Sequence, residues 1–202
     1  MTRTNLKAIV IAAVLPAPGL AAAAPIVADG SFETPVVPGF QYNPTGSPWT
    51  FLGDSGLAQG TFFAGVAPDG AQAAFLQSAG LVGEINQTLG AVTIGSKYLL
   101  SFYVADRPGY VANPVDVKVD GVDLSSFTSG STSFVKETVN FIATTTTPFL
   151  QSIGGPAGGD IDSAIDLVTV TPAGTVSTPE PAALALLGIG GVSLAARRRR
   201  RR

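Results

Sequence analysis

From residue 24 to residue 172 the apolar residues of this chain recur with period two. They come in short runs broken by Gly, Pro, Asp and Ser, without the 3.6-residue spacing of an amphipathic helix. An alternating run buries one face only, so it must pair with neighbours and pack against a second layer. The pattern therefore predicts an all-β fold, two antiparallel sheets forming a β-sandwich.

The strongest run is Lys97 to Ala105. Tyr98, Leu100, Phe102 and Val104 share one face, and Leu99, Ser101, Tyr103 and Ala105 the other. Both faces are largely apolar, which predicts a strand with neighbours on both sides. Val115 to Val119 puts Asp116 and Lys118 outward and ends at Asp120-Gly121, a hairpin signal. Further strands are expected at Ile26-Val27 with Phe32, Trp49–Leu52, Leu57–Phe63, Gln72–Leu76, Glu84–Leu89, Phe149–Ile153 and Ile165–Val170. Another has Val135, Val139 and Phe141 facing inward. Gly154 to Asp160 reads as a glycine-rich loop, and Asp160 with Asp162 as a solvated acidic cluster.

Both ends of the chain read as address rather than fold. Arg3 and Lys7 precede an apolar stretch, Ala8 to Leu15, and Ala21 to Ala24 offers small residues to a signal peptidase. Residues 1–23 are expected to be a signal peptide with a helical core, and residues 173–178 a linker. At the other end, Pro179, Glu180 and Pro181 introduce fifteen small or apolar residues, Ala182 to Ala196. The arginines Arg197, Arg198, Arg199, Arg200, Arg201 and Arg202 close the chain. Arginines stay on the cytoplasmic side of the inner membrane while the body is exported. As a helix the apolar stretch spans only about 22 Å, against about 30 Å of hydrocarbon. Its length alone therefore leaves a plain anchor and a processing signal both open. The Pro-Glu-Pro decides, because a simple anchor has no need of it. Residues 179–202 resemble the PEP-CTERM sorting segment of Gram-negative bacteria. That resemblance implies an exosortase as partner, transient anchoring in the inner membrane, and release to the cell surface or extracellular matrix.

Charge and missing residue types exclude whole classes of function. The body holds four cations (Lys97, Arg107, Lys118 and Lys136) against thirteen acids, a net charge of −9. Such a surface repels phosphate backbones, so no nucleic-acid partner is expected. There is no Cys and no His. Ser-His-Asp and Cys-His nucleophiles cannot be built, nor can zinc sites of His or Cys. Carboxylates, hydroxyls and oxygen-ligand metals remain. A glycan hydrolase would need two carboxylates about 5–9.5 Å apart, and nothing in the sequence marks such a pair. The expectation is a protein that is not an enzyme, with a small carboxylate-dependent glycan hydrolase as one alternative and a self-associating structural matrix protein as another.

The body, residues 24–172, also carries a resemblance. Asp29-Gly30-Ser31-Phe32-Glu33, Trp49-Thr50-Phe51, Gly83-Glu84-Ile85-Asn86-Gln87, Gly95 to Phe102 and Ala164 to Val170 follow one another as in galactose-binding-like jelly rolls. That fold is common among carbohydrate-binding modules. Leu167 departs from the usual Asn or Asp of the closing motif. The resemblance implies a jelly roll, a role in binding exopolysaccharide, and a structural Ca²⁺ held by Glu33 and Asp166 where the first loop meets the last strand. For a sugar, the surface candidates are Tyr42 and Tyr110, in Pro/Gly/Asn-rich loops, with Arg107 at a strand end. Phe40, Phe62, Phe63 and Tyr103 are further aromatics, and Trp49 is expected in the core.

Overall fold

The computed structural model describes residues 26–59, 66–156 and 158–173. The signal peptide, the sorting segment, the two terminal helices, and Phe62 and Phe63 lie outside the described residues. Among those described there is no helix, and eleven strands form two sheets. They are β1 (Phe40–Tyr42), β2 (Thr50–Leu52), β3 (Ser55–Gln59), β4 (Gln72–Gln77), β5 (Glu84–Thr88), β6 (Lys97–Asp106), β7 (Val115–Val119), β8 (Val122–Phe127), β9 (Val135–Ile142), β10 (Phe149–Gly154) and β11 (Asp162–Pro172). One sheet runs β1-β3-β4-β11-β6-β9 and the other β2-β5-β10-β7-β8. Every strand pair is antiparallel, as the alternation requires.

The main core lies between the sheets, with Phe32, Leu57, Leu76, Ile85, Leu100, Val104, Leu150 and Ile165 fully buried. Trp49 is part of it, stacked at a tilt 4.9 Å from Phe32, with its indole N–H donating to the Asp29 carbonyl. β6 is flanked by β11 and β9, as its two apolar faces predicted. A second cluster, Ala58, Ala73, Phe75, Ala105 and Ala164, lies on the far face of the six-stranded sheet. The register sets Phe75, Ala164 and Ala105 side by side there, with Gln77, Asp162 and Arg107 one step further along.

Three expectations are corrected. Ile26, Val27 and Phe32 form no strand. The Asp29 carboxylate instead accepts from the backbone N–H groups of Glu33 and Thr34 at 2.9 and 3.0 Å. This closes a loop in which Asp29 and Phe32 take positive φ, which no extended strand allows. Val135 is not an inward residue: it lies 38% exposed at the start of an edge strand. Asp162 is not solvated, because it opens β11 and is 2% exposed.

The ends of the sandwich differ in what they carry. At one end lie the start of β6, the Asp120-Gly121 turn, residues 143–149 and the end of β11. The turn has positive φ at both residues, the hairpin geometry its sequence signals. The opposite end gathers the loops 107–114 and 155–161. A ten-residue strand such as β6 spans about 30 Å, which sets the distance between the two ends.

Candidate functional site

The three surface candidates of the sequence meet at that second end. Arg107, just past β6, lies over the Tyr110 ring with its guanidinium carbon 3.9 Å from the ring centroid. Its Nη1 stands 3.4 Å from Asp160 Oδ1 and 3.6 Å from Asp162 Oδ2. Tyr42, from the edge strand β1, donates its hydroxyl to Gln77 Oε1, and the Gln77 amide donates to Asp160. Tyr42, Gln77, Asp160, Arg107 and Tyr110 thus form one continuous chain of contacts. Tyr42 and Tyr110 are each 43% exposed, and Phe40 packs edge-on against Tyr42. On its other side Tyr42 meets Phe75 edge-on at 5.0 Å. The arrangement offers exposed ring faces beside a guanidinium, an amide and a carboxylate, the groups that contact a sugar's apolar face and hydroxyls.

The electrostatics of the site follow from burial. Asp162 Oδ1 has no hydrogen-bond partner and is shielded from solvent. Desolvation pushes this carboxyl up to about 8, against the opposing pull of Arg107. Burial, then the charges of Asp162, Asp54 and Asp160, raise the Tyr42 phenol, which therefore stays a neutral donor to Gln77.

Two residues that hold the site were missed in the sequence. Gln77 reads as a surface amide at a strand end, yet it bridges Tyr42 to Asp160. Asn113 is fully buried. Its amide donates to the Leu76 carbonyl at 2.8 Å, its oxygen accepts from Gly155 N–H at 2.7 Å, and its carbonyl accepts from the Ser163 hydroxyl at 2.6 Å. It pins the loop bearing Arg107 and Tyr110 to the loop bearing Asp160. The available signal was its place just before Pro114 in an otherwise apolar approach to a strand.

The carboxylates Glu33 and Asp166 lie elsewhere, on either side of the Pro68–Gly70 turn. Glu33 Oε1 accepts from Ala71 and Gln72 N–H, both at 2.8 Å. Asp166, fully buried, accepts from Asp69 N–H at 3.1 Å and Leu167 N–H at 2.7 Å. Gly70 is required here, since it has positive φ and a Cβ would collide with the Glu33 carboxylate. Burial raises Asp166 to about 7, and the Asp69 and Glu33 charges add to that. Among the described residues neither carboxylate takes part in an ion pair. Both carboxylates thus face the 69–72 turn, and it is to them that the jelly-roll resemblance would assign a Ca²⁺. Among the described residues no three Asp, Glu, His or Cys side chains group closely enough to hold a metal, so backbone carbonyls would have to complete the shell.

The PEP-CTERM protein-sorting family matches residues 177–201. This chain carries a PEP-CTERM sorting motif. The motif implies export, with an exosortase as the processing partner. No curated protein matches the chain in sequence. Among solved structures, the carbohydrate-binding module TmCBM61, described in complex with β-1,4-galactotriose, is similar at a TM-score of 0.52 and 17% identity. The match covers 75% of this chain and 100% of that one. The K1 cleaved adhesin domain of Lys-gingipain from Porphyromonas gingivalis W83 is similar at 0.50 and 14% identity, over 65% of this chain and 93% of that domain. The PEP-CTERM chain thus has a two-sheet jelly-roll sandwich fold, similar to that of both structures.

Proposed function

We propose that this PEP-CTERM protein is a non-catalytic, glycan-binding component of the cell surface or extracellular matrix of a Gram-negative bacterium. The observation that carries the reading is the convergence of Tyr42, Arg107 and Tyr110 on Gln77, Asp160 and buried Asp162. These residues come from four separate segments and sit at the end remote from the tail. The jelly-roll likeness supports the reading at the level of fold. Arg107 weighs against a hydrolase, because one guanidinium nitrogen stands between the two carboxylates that an acid–base pair would need free. Glu33 and Asp166 would hold a structural Ca²⁺ that ties the first loop and the 69–72 turn to β11. Bound there, the ion would supply charge compensation for the buried carboxylate and no chemistry on a substrate.

The test is affinity electrophoresis through gels containing the host exopolysaccharide or β-1,4-galactan. Retardation of the wild type is expected, with Tyr110→Ala and Arg107→Ala each weakening it about tenfold, or about 1.4 kcal/mol. A wild type unretarded by either polysaccharide, or variants that bind as well as it does, would sink the proposal.

A further inference from the structure

We infer that the end of the sandwich from which the tail departs docks on the lipid bilayer through an aliphatic rim while the protein is held there for sorting. The inference rests on the reading that residues 177–201 hold the chain at a membrane. Ala173 N–H donates to the Lys97 carbonyl at 2.8 Å, which fixes where the chain leaves the body. Only residues 174–178 separate that point from Pro179. Fully extended they reach about 18 Å, so a membrane-held Pro179 keeps this end close to the headgroups.

The surface there suits that neighbour. A cavity of about 400 Å³ opens between β8 and β9, walled mainly by Val119, Val122, Leu124, Phe141 and Ile142, with Lys97 on its edge. Val122 is 59% exposed and Ile142 62%, and Ile94, in the loop leading to Lys97, is 58% exposed. Gly95 N–H bonded to the Ala143 carbonyl holds that loop against the end of β9. Three exposed aliphatic side chains and a greasy hollow are costly in water and favourable against acyl chains. The body's net charge of −9 disfavours attraction to anionic lipid, so the docking is apolar and insensitive to salt. It also aims the Arg107–Tyr110 end away from the bilayer.

The chain has no cysteine, so single cysteines report cleanly. The full chain is reconstituted with phosphatidylcholine vesicles containing doxyl-labelled lipid. Fluorophores are placed through Ile94→Cys, Thr144→Cys and, at the far end, Val111→Cys. Quenching several-fold stronger at the first two than at Val111→Cys is expected, unchanged by added salt. It should persist when roughly twenty Gly/Ser residues are inserted after Ala173. In the Thr144→Cys background, Val122→Ser with Ile142→Ser should abolish the quenching while the protein still floats with the vesicles. Flotation without quenching, equal quenching at both ends, or loss of quenching on lengthening the linker would overturn the docking alone. A chain that fails to float would overturn the membrane-held tail and the docking together.

Discussion

Asp162→Asn should change how the stability of this protein depends on pH. Asp162 is 2% exposed, one of its oxygens has no partner, and its nearest cation, Arg107, stands at 3.6 Å. Its carboxyl rises from 3.8 to about 8 on burial. At about 1.4 kcal/mol for each step of one in pKa, ionising it in the folded protein costs about 6 kcal/mol more than in the unfolded chain. The sign follows from proton counts. Between pH 3.8 and about 8 the folded state binds the proton and the unfolded state does not. Stability is therefore fully present below the lower value and is lost as pH rises through the upper one. Asp166 and Asp106, raised for the same reason, add slopes of the same sign, so the informative quantity is the difference between variant and wild type. The asparagine amide imitates the neutral acid and carries no such slope. Relative to wild type, the variant should gain about 5 kcal/mol between pH 4 and pH 9, or about 10–20 °C in Tm. Urea unfolding at several pH values measures it, followed by the emission of Trp49, the one tryptophan and a core residue. If the two stability curves stay parallel to within about 1 kcal/mol over that range, Asp162 is ionised throughout. Arg107 then outweighs burial, and the reasoning fails.

Other substitutions test other parts of the structure. Asn113→Ala leaves Gly155 N–H without its acceptor and removes the amide's bond to the Leu76 carbonyl, so it should cost about 2–3 kcal/mol by urea titration and weaken glycan retardation. Leu167 holds a φ of 49°, a conformation that Asn tolerates better than Leu, so Leu167→Asn should raise stability by about 0.5–1 kcal/mol in the same titration. EDTA should lower the wild-type Tm by about 5–10 °C at neutral pH, the linkage expected of a hundredfold excess over Kd. Added Ca²⁺ should restore it, and Asp166→Asn should lose the response. An EDTA-insensitive Tm, with no metal by elemental analysis, refutes the site. In a host with an exosortase, the surface protein should lack Arg197–Arg202 by intact mass, and Glu180→Ala should alter that processing.

Strands were legible wherever burial imposes period two. Lys97–Ala105, Val115–Val119 and Gln72–Leu76 all fall within observed strands. β1 and β8 escaped notice for a physical reason. Phe40, Gln41 and Tyr42 are all exposed, and Val122–Phe127 alternates only weakly, so neither carries the imprint of a buried face. The pairing of β1 with β3 is a tertiary fact, whereas that of β8 with β7 is the hairpin that Asp120-Gly121 signals. The loop at 26–33 was misread because Val27 and Phe32 are core residues delivered by a turn, and hydrophobicity does not distinguish the two routes to the core. At the candidate site, Tyr42, Tyr110 and Arg107 stood out singly, as loop aromatics and a rare cation. Their meeting did not, because β1 and the 107–114 loop are neighbours only after β3, β4 and β11 come between them. The burial of Asp162 was not legible from alternation. Asp162-Ser163-Ala164-Ile165-Asp166 belongs to a central strand covered on both faces, so all five residues are buried whatever their parity.

The two ends of the sandwich explain each other. While the tail holds the domain at the membrane, the end at Ala173 stays within reach of the anchor, and the proposed glycan would be met by the other. Ala173 and Lys97 mark the first end, and Arg107, Tyr110 and Asp160 the second. The same strand, β6, runs between them, with Lys97 at its start and Arg107 just beyond its last residue. Two of the body's four cations thus stand at opposite ends of one strand, each beside the feature that gives its end a role. If the site bound a ligand near the bilayer instead, the aromatics Tyr42 and Tyr110 would belong beside Ile94 and Ile142. The strand registers keep them about 30 Å away, the length of β6.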